Sequence, residues 1–372
     1  MIDEAKNIHE RINQLLSIGD TKRANKLLLA LSNDNSDLKC IDPSVDLVLP
    51  DTEACLDSPE PKHIHHVYQT ETPREGSEIR HFCTYFDWSY TAKGVAMVES
   101  LMSVDFHHKV HLLALDELSR TYLKQRFPKA SVYSVSDLFT SNIILEKTLL
   151  NRSQVDGYFT LTSALLNFLL SNLESDAVLT YLDADLYFYK SLEPLYEELK
   201  HHSALIIEHN FSASLKHLGV HGRFNVGWIS IRNNSIGLEI VSDYKDDCIR
   251  WCHDRLEGPL YADQKYLDYW PLLYSNIRIS KCKEANVAPW NISGRTLDFQ
   301  GESPTIDGRP ILFYHFSGLK RNSEGIYFIK NDYPYPDTDE FRWFYGSYVR
   351  VLQEVEKQMV LHAPLSTENI RV

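Results

Sequence analysis

The run Val178-Leu179-Thr180-Tyr181-Leu182 leads straight into Asp183-Ala184-Asp185, and Leu186-Tyr187-Phe188-Tyr189 follows. A short apolar run of this kind predicts a strand buried on both faces. Ionised carboxylates are unfavourable inside a core unless they are paired or hold a metal. The strand is therefore expected to end at Leu182 and to open into a cleft at its carboxyl end, where open α/β sheets bind ligands. Two aspartates one residue apart can share a hard divalent cation, with substrate phosphates completing its shell. Asp-X-Asp by itself is a weak pattern. A second copy, Asp337-Thr338-Asp339, lies among prolines and another acid and reads as a solvated loop.

Around this stretch the chain alternates. Phe82–Phe86, Lys109–Leu115 and Ser131–Val135 read as strands. Thr91–Met102, Glu117–Arg126 and Tyr158–Leu173 read as helices. Such alternation predicts parallel strands with covering helices. Leu205–Ile207 and Phe224–Ile231 are further strands, and Gly227 inside the second marks a close approach by ligand or backbone. A helix is expected from about Ile236 to Asp254, and another over Ala262–Asp268 with Asp263 and Gln264 in its first turn. Ile311–Tyr314 is a strand ending at His315.

Ile8, Ile12, Leu15 and Leu16, then Ala24, Leu27, Leu28 and Leu31, predict a helical hairpin over residues 1–32. It is either a cap on the main domain or a surface for a partner or a homodimer. Residues 33–77 are rich in Asp, Ser, Pro and Glu and read as linker; no regular element fixes their His63, His65 and His66. The main domain is expected over 78–325 and a helical extension over 326–372. In that extension Phe341, Phe344, Tyr345, Tyr348, Leu352 and Val355 recur at helical spacing.

A chain of 372 residues can bury a full core. Its net charge of -13 argues against sequence-independent nucleic-acid binding, which needs a basic face. The six cysteines are scattered, which fits a reducing compartment. Cys248, Cys252 and His253 could share a helical face, but packing is the commoner reason for such a pair. Asp3, Glu4 and Lys6 fall where the core of a signal peptide would begin. The expectation is a cytoplasmic protein whose membrane contact, if any, is peripheral, at the inner face.

The order of motifs resembles the nucleotide-sugar-dependent glycosyltransferases of the GT-A fold, most closely the retaining family 8 enzymes, over about residues 80 to 320. Leu182-Asp183-Ala184-Asp185 is similar to their Asp-X-Asp segment, Phe224-Asn225-Val226-Gly227 to their Asn-(Ser/Ala)-Gly segment, and Ala262-Asp263-Gln264 to their Asp-Gln segment. His315-Phe316-Ser317-Gly318 resembles their His-X-X-Gly-X-X-Lys. Cys83-Thr84-Tyr85-Phe86-Asp87-Trp88-Ser89-Tyr90 resembles the first strand and loop. As a whole the chain looks like bacterial proteins of surface-polysaccharide synthesis.

The resemblance implies an α/β fold: a GT-A (Rossmann-like) mixed, mostly parallel sheet flanked by helices, with an N-terminal helical hairpin and a C-terminal helix. It implies Asp183, Asp185 and His315 as ligands of Mn²⁺ or Mg²⁺, and Gln264 and Asp263 as catalytic residues. Donor binding would fall to Thr84, Tyr85, Asp87, Asp183, Asn225, Gly227, Gly318, and Lys320 or Arg321. The partners implied are a nucleotide-sugar donor and a glycan or other hydroxyl acceptor. The family lysine lies six residues after the histidine; here Lys320 is five after and Arg321 six after. Asp87-Trp88-Ser89 also stands where the family has Asp-X-Asn.

Physical reasoning runs beside the resemblance. Transfer from a nucleoside diphosphate builds negative charge on the leaving phosphate, which a cation and a fixed lysine or arginine would stabilise. An inverting enzyme needs a carboxylate base, for which Asp263 is the candidate; Gln264 cannot serve as one. Each residue also has a bland role: Asn225 satisfying backbone at a turn, His315 a hydrogen-bonded strand end, Gln264 a first-turn residue, Arg152 a surface residue. Two other readings remain. A nucleotidyltransferase would want a Gly-rich basic loop after the first strand, and Thr91-Ala92-Lys93-Gly94 is a poor one. A catalytically silent scaffold would have no reason to keep the whole set.

Overall fold

The computed structural model describes residues 2–33, 79–105, 107–140, 142–299, 303–330, 332–336 and 338–362. The predicted linker from residue 34 on, with its three histidines, and Asp337 of the second acidic pair lie outside them.

The apolar runs become the strands β1 (Arg80–Phe86), β2 (His108–Ala114), β3 (Ser131–Ser134), β4 (Val178–Leu182), β5 (Leu186–Phe188), β6 (Ala204–Glu208), β7 (Phe224–Arg232) and β8 (Ile277–Ile279). All but β5 join one 7-stranded sheet in the order β3-β2-β1-β4-β7-β6-β8. Every pairing is parallel except those of β7, which runs against both β4 and β6. The alternation up to β4 predicts parallel strands, and β1 to β4 pair in parallel. The sheet is mixed and mostly parallel, with one strand reversed.

The helices are α1 (Ile2–Ser17), α2 (Thr21–Asn33), α3 (Thr91–Val104), α4 (Glu117–Arg126), α5 (Val135–Phe139), α6 (Ile143–Leu150), α7 (Gln154–Leu170), α8 (Glu193–Leu199), α9 (Ser235–Arg250), α10 (Trp270–Leu273) and α11 (Asp339–His362). Alternate residues of β1 feed two cores, as the period of a strand requires. Phe82 and Phe86 join Val95, Val98 and Leu101 of α3. Cys83 joins Leu161, Leu165 and Leu169 of α7 and Ile240 of α9 on the other face. Of the described helices, α5, α6, α8 and α10 were not expected; in α6, Ile143-Ile144-Leu145 and Leu149-Leu150 show no clean helical period, and Ile143 and Leu150 stay exposed.

The hairpin lays its apolar face on the main domain. Ile12, Leu15, Ala24 and Leu27 enter the core beside α9 and α10. With them go Arg11 and Arg23, each 4% exposed, which meet the buried Asp247 of α9. Helix α9 stops earlier than expected because Trp251 turns extended, at φ -150 and ψ 125. Cys252 and His253 therefore leave the helix, although the Cys252 thiol still meets that of Cys248 in the core. His253 instead meets the Asp156 carboxylate at 2.8 Å. Cys83, Cys248, Cys252 and Cys282 are free.

The remaining strands are short: β9 (Leu297–Asp298), β10 (Thr305–Ile306), β11 (Arg309–Pro310), β12 (Phe313–His315), β13 (Leu319–Arg321) and β14 (Tyr327–Ile329). The predicted stripe of α11 covers them, with Phe316 stacked on Tyr348 at 3.8 Å and the Tyr314 and Tyr345 hydroxyls 3.1 Å apart. Among the described residues no helix is long and apolar enough to cross a membrane.

A histidine ladder crosses the sheet. His81 Nδ1 lies 3.0 Å from His111 Nε2, and His111 Nδ1 lies 3.4 Å from the Tyr133 hydroxyl. Burial, then His81 and Lys109, push His111 down from 6.5 to about 4. The unfolded chain thus binds the proton first. The contribution is whole above the unfolded pKa and is lost as pH falls from 6.5 toward about 4. A shift of this size corresponds to about 3 kcal/mol. Urea unfolding at pH near each limit should show His111→Gln losing that much less stability on acidification than the parent; an equal loss in both would contradict it.

Candidate metal and donor site

The aspartates leave β4 as a turn. The Asp183 N–H donates to the Gly227 carbonyl at 3.1 Å, and the Leu186 N–H to the Asp183 carbonyl at 3.3 Å. The chain then enters β5, which pairs antiparallel with β12 so that Leu186 faces His315. Two backbone bonds pin this crossing: His315 N–H to the Val287 carbonyl at 2.8 Å and Phe316 N–H to the Asp185 carbonyl at 2.9 Å. His315 Nε2 arrives 3.0 Å from Asp185 Oδ1 and 3.7 Å from Asp183 Oδ2. One ligand atom from each of the three residues lies within 4.8 Å of the others. Two carboxylates and an imidazole on one side, with the other side open, are a donor set suited to a hard dication such as Mn²⁺ or Mg²⁺. Asp183 opens to the cleft with its side chain 31% exposed, while Asp185 is 12% exposed.

Charge balance differs between the carboxylates. Burial works against ionised Asp185, but His315 first, then Lys93 and Lys320, hold it well below the ordinary range. Burial raises Asp183, with His315 opposing and Asp185 adding. His315 is raised: burial lowers it, and the two aspartates overcome that.

The close approach expected at Gly227 is made by protein. A Cβ there would come within 2.6 Å of Asn225 Oδ1 and 2.9 Å of the His315 ring. Asn225 Oδ1 accepts from the Gly227 N–H at 3.1 Å and from Asn286 Nδ2 at 3.3 Å, and its Nδ2 faces His209 Nε2 at 3.3 Å. Trp290 meets His315 edge-on at 5.0 Å. His209 and Asn286 thus brace Asn225, and Trp290 packs on His315. Nothing near them in sequence marks that role.

A cleft of about 820 Å³ opens above these residues. Tyr85, Asp87, Tyr90, Asn225, Asp263, Gln264 and Lys320 line it together with Asp183, Asp185 and His315. Asp263 and Gln264 begin a 3-10 helix, Gln264–Tyr269, and not the expected α-helix. Ala262 just before them has φ 46, a left-handed conformation unusual for a residue with a Cβ. Asp263 is 3% exposed. Burial, then Asp183, push its carboxyl up to about 7, with the Thr162 and Tyr244 hydroxyls opposing. The Gln264 side-chain amide donates to the His221 carbonyl at 3.0 Å.

On the opposite wall the Tyr85 hydroxyl donates to the Tyr158 carbonyl at 2.7 Å. Asp87 caps the next turn through Tyr90 N–H at 3.0 Å and accepts from the Tyr158 hydroxyl at 2.7 Å. Thr84 is buried behind the wall and does not line the cleft. Gly318 makes the turn into β13 at φ 81. Of the two cations after it, Lys320 lines the cleft, while Arg321 Nε pairs with Glu356 of α11 at 3.0 Å. Arg152 ties α7 to α9 through Thr160 and the Ile249 carbonyl. A further cation, Lys93, stands 4.0 Å from Asp185. Its only trace in the sequence is a lysine among small and apolar residues at the start of a helix.

No family model matches this chain. Two curated proteins of Bacillus subtilis (strain 168) are similar to it. The uncharacterized protein YfnD is 27% identical over 274 residues, 72% of this chain and 87% of that protein. The uncharacterized protein YfnF is 29% identical over 251 residues, 64% of this chain and 81% of that protein. Among solved structures, the galactosyltransferase LgtC in complex with donor and acceptor sugar analogs aligns over 74% of this chain and 95% of its own, at 14% identity and TM-score 0.46. Mouse xyloside xylosyltransferase 1 aligns over 69% of this chain and 99% of its own, at 15% identity and TM-score 0.42. The glycosyltransferase GlyE of Streptococcus pneumoniae TIGR4 aligns over 76% of this chain and 64% of its own, at 16% identity and TM-score 0.42.

Proposed function

We propose that this chain is a metal-dependent glycosyltransferase that moves a sugar from a nucleoside-diphosphate sugar, a UDP-sugar first among them, to a hydroxyl of a glycan or similar acceptor, in bacterial surface-polysaccharide synthesis. The observation that carries it is the Asp183–Asp185–His315 triad at the floor of a cleft that also holds Lys320, Asp263 and Gln264. The first three would hold Mn²⁺ or Mg²⁺. When bound, that ion supplies a Lewis acid for the departing diphosphate.

This chain's own residues have the remaining roles. Lys320 fixes a positive charge where phosphate charge develops. Tyr85, Asp87 and Tyr90 form the wall for the nucleoside, with Thr84 behind them. Asn225 and Gly227 hold His315 in place beside the donor sugar, and Gly318 sets the turn that delivers Lys320. Asp263 holds the sugar's hydroxyls, and Gln264 lies by the anomeric carbon, as a retaining reaction would want. The burial of Asp263 and its carboxyl near about 7 favour a second reading, in which it is the base of an inverting reaction.

A screen of nucleotide-sugars for slow hydrolysis should find a donor cleaved with Mn²⁺ and spared with EDTA; the absence of any metal-dependent cleavage or nucleotide binding would remove the assignment. With that donor, Gln264→Ala should lower kcat and kcat/KM together, as loss of a transition-state contact does. Asp263→Asn should blur discrimination among donor sugars more than it slows transfer. Near-complete loss of transfer in Asp263→Asn, with an inverted product in the parent by NMR, would select the inverting reading.

A further inference from the structure

Lys93 has no part in the roles above. It lies in the first turn of α3 and is 7% exposed. A lysine at a helix start ordinarily reaches its ammonium out to water. This one turns inward. Its Nζ donates to the Leu319 carbonyl at 2.6 Å, lies 4.0 Å from Asp185 Oδ2, and sits 4.3 Å from the centre of the Tyr90 ring. Lys320 Nζ approaches the same ring at 5.8 Å. The other oxygen of Asp185 faces His315.

The charges nearly cancel before any ligand arrives. Asp183 and Asp185 bring two negative charges, Lys93 and Lys320 two positive ones. A dication entering alone must share Asp185 with the Lys93 ammonium. In a buried site, solvent and salt screen that repulsion poorly. A diphosphate entering with the ion brings the missing negative charge.

We propose that Lys93 competes with the metal ion for Asp185, so that the dication is held weakly until a nucleoside diphosphate arrives and the two load as a pair. This rests on the donor-site reading above. Lys93 is a positioning residue: it acts through Asp185 and lies behind the cleft wall.

The test is Mn²⁺ binding to the full chain at neutral pH, followed by the paramagnetic resonance of free Mn²⁺, with and without UDP. Lys93→Gln keeps a donor for the Leu319 carbonyl and drops the charge; Lys93→Arg keeps the charge. Lys93→Gln should bind Mn²⁺ alone roughly ten-fold more tightly than the parent. The factor by which UDP strengthens Mn²⁺ binding should fall correspondingly, and by reciprocity so should the factor by which Mn²⁺ strengthens UDP binding. Lys93→Arg should follow the parent. If Lys93→Gln is unstable, Lys93→Met carries the same expectation. Unchanged or weaker Mn²⁺ binding in a folded, uncharged variant overturns the proposal and leaves the metal site standing. A parent that binds no Mn²⁺ with or without UDP overturns both.

Discussion

Replacing Asp185 by asparagine is expected to abolish metal-dependent nucleotide binding while the protein stays folded. Asparagine keeps the shape and a carbonyl oxygen for His315, now 3.0 Å from Asp185 Oδ1, but removes the anion on which His315 and Lys93 converge. Removing even an outer partner of a metal ligand typically costs 10–100-fold in affinity, so losing a ligand charge should cost more than about 100-fold. Calorimetric titration with UDP should give one affinity for the variant with Mn²⁺ or with EDTA, against two for the parent. A variant that keeps the parent's metal dependence would show that the ion, if bound, lies elsewhere.

Asp247→Ala should be the costliest single change for stability among those considered. Its carboxylate receives Arg11, Arg23 Nη1 at 3.0 Å and Arg250 Nη1 at 2.8 Å. Arg23 keeps Asp20, but Arg11 would keep the Gln14 side chain at 3.3 Å and the Tyr266 and Tyr269 rings at 5.0 and 5.9 Å, with no carboxylate. Removing one partner of a buried ion pair costs about 3–5 kcal/mol because the other charge is left uncompensated. For a chain of this size that is a melting shift of about 5 °C. The hairpin should loosen first, seen as faster amide exchange in α1 and α2. A melting point within a degree or so of the parent's would mean that the apolar face alone holds the hairpin.

The two predictions draw on residues of unequal legibility. Asp185 stood out because a buried strand cannot continue through carboxylates, a rule that needs no tertiary information. Helix α4 began and ended where expected because its signals are local: Asp116 accepts the Ser119 N–H at 2.7 Å. The direction of β7 could not be read. A strand buried along nearly its whole length looks the same whichever way it runs. The Ala262–Asp268 segment read as an α-helix because Ala262 gives no sign of φ 46, a conformation that its neighbours impose. Lys93 and Asp247 were missed for one reason. A charge on a helix reads as solvated surface, and the partners that bury these two lie on distant segments, at Leu319 for the first and at Arg11 and Arg23 for the second. The preference for Lys320 over Arg321 likewise depends on Glu356, far along the chain.

The reversed strand β7 has a bearing on folding fidelity. Because it runs against β4, its middle meets the end of β4, with Leu182 opposite Trp228, and Gly227 lies just beyond that pair. Gly227 therefore reaches His315 at one alignment of the two strands. A slip of one position would bring Val226 or Trp228 into a space where even a methyl carbon would stand 2.9 Å from the His315 ring. A one-residue slip also turns every side chain to the opposite face. On the metal-site reading proposed above, Asp183, Asp185 and His315 would converge only on a correctly aligned pair, so dication capture would serve as an assay for native strand alignment, readable in refolding or in variants before any turnover is measured.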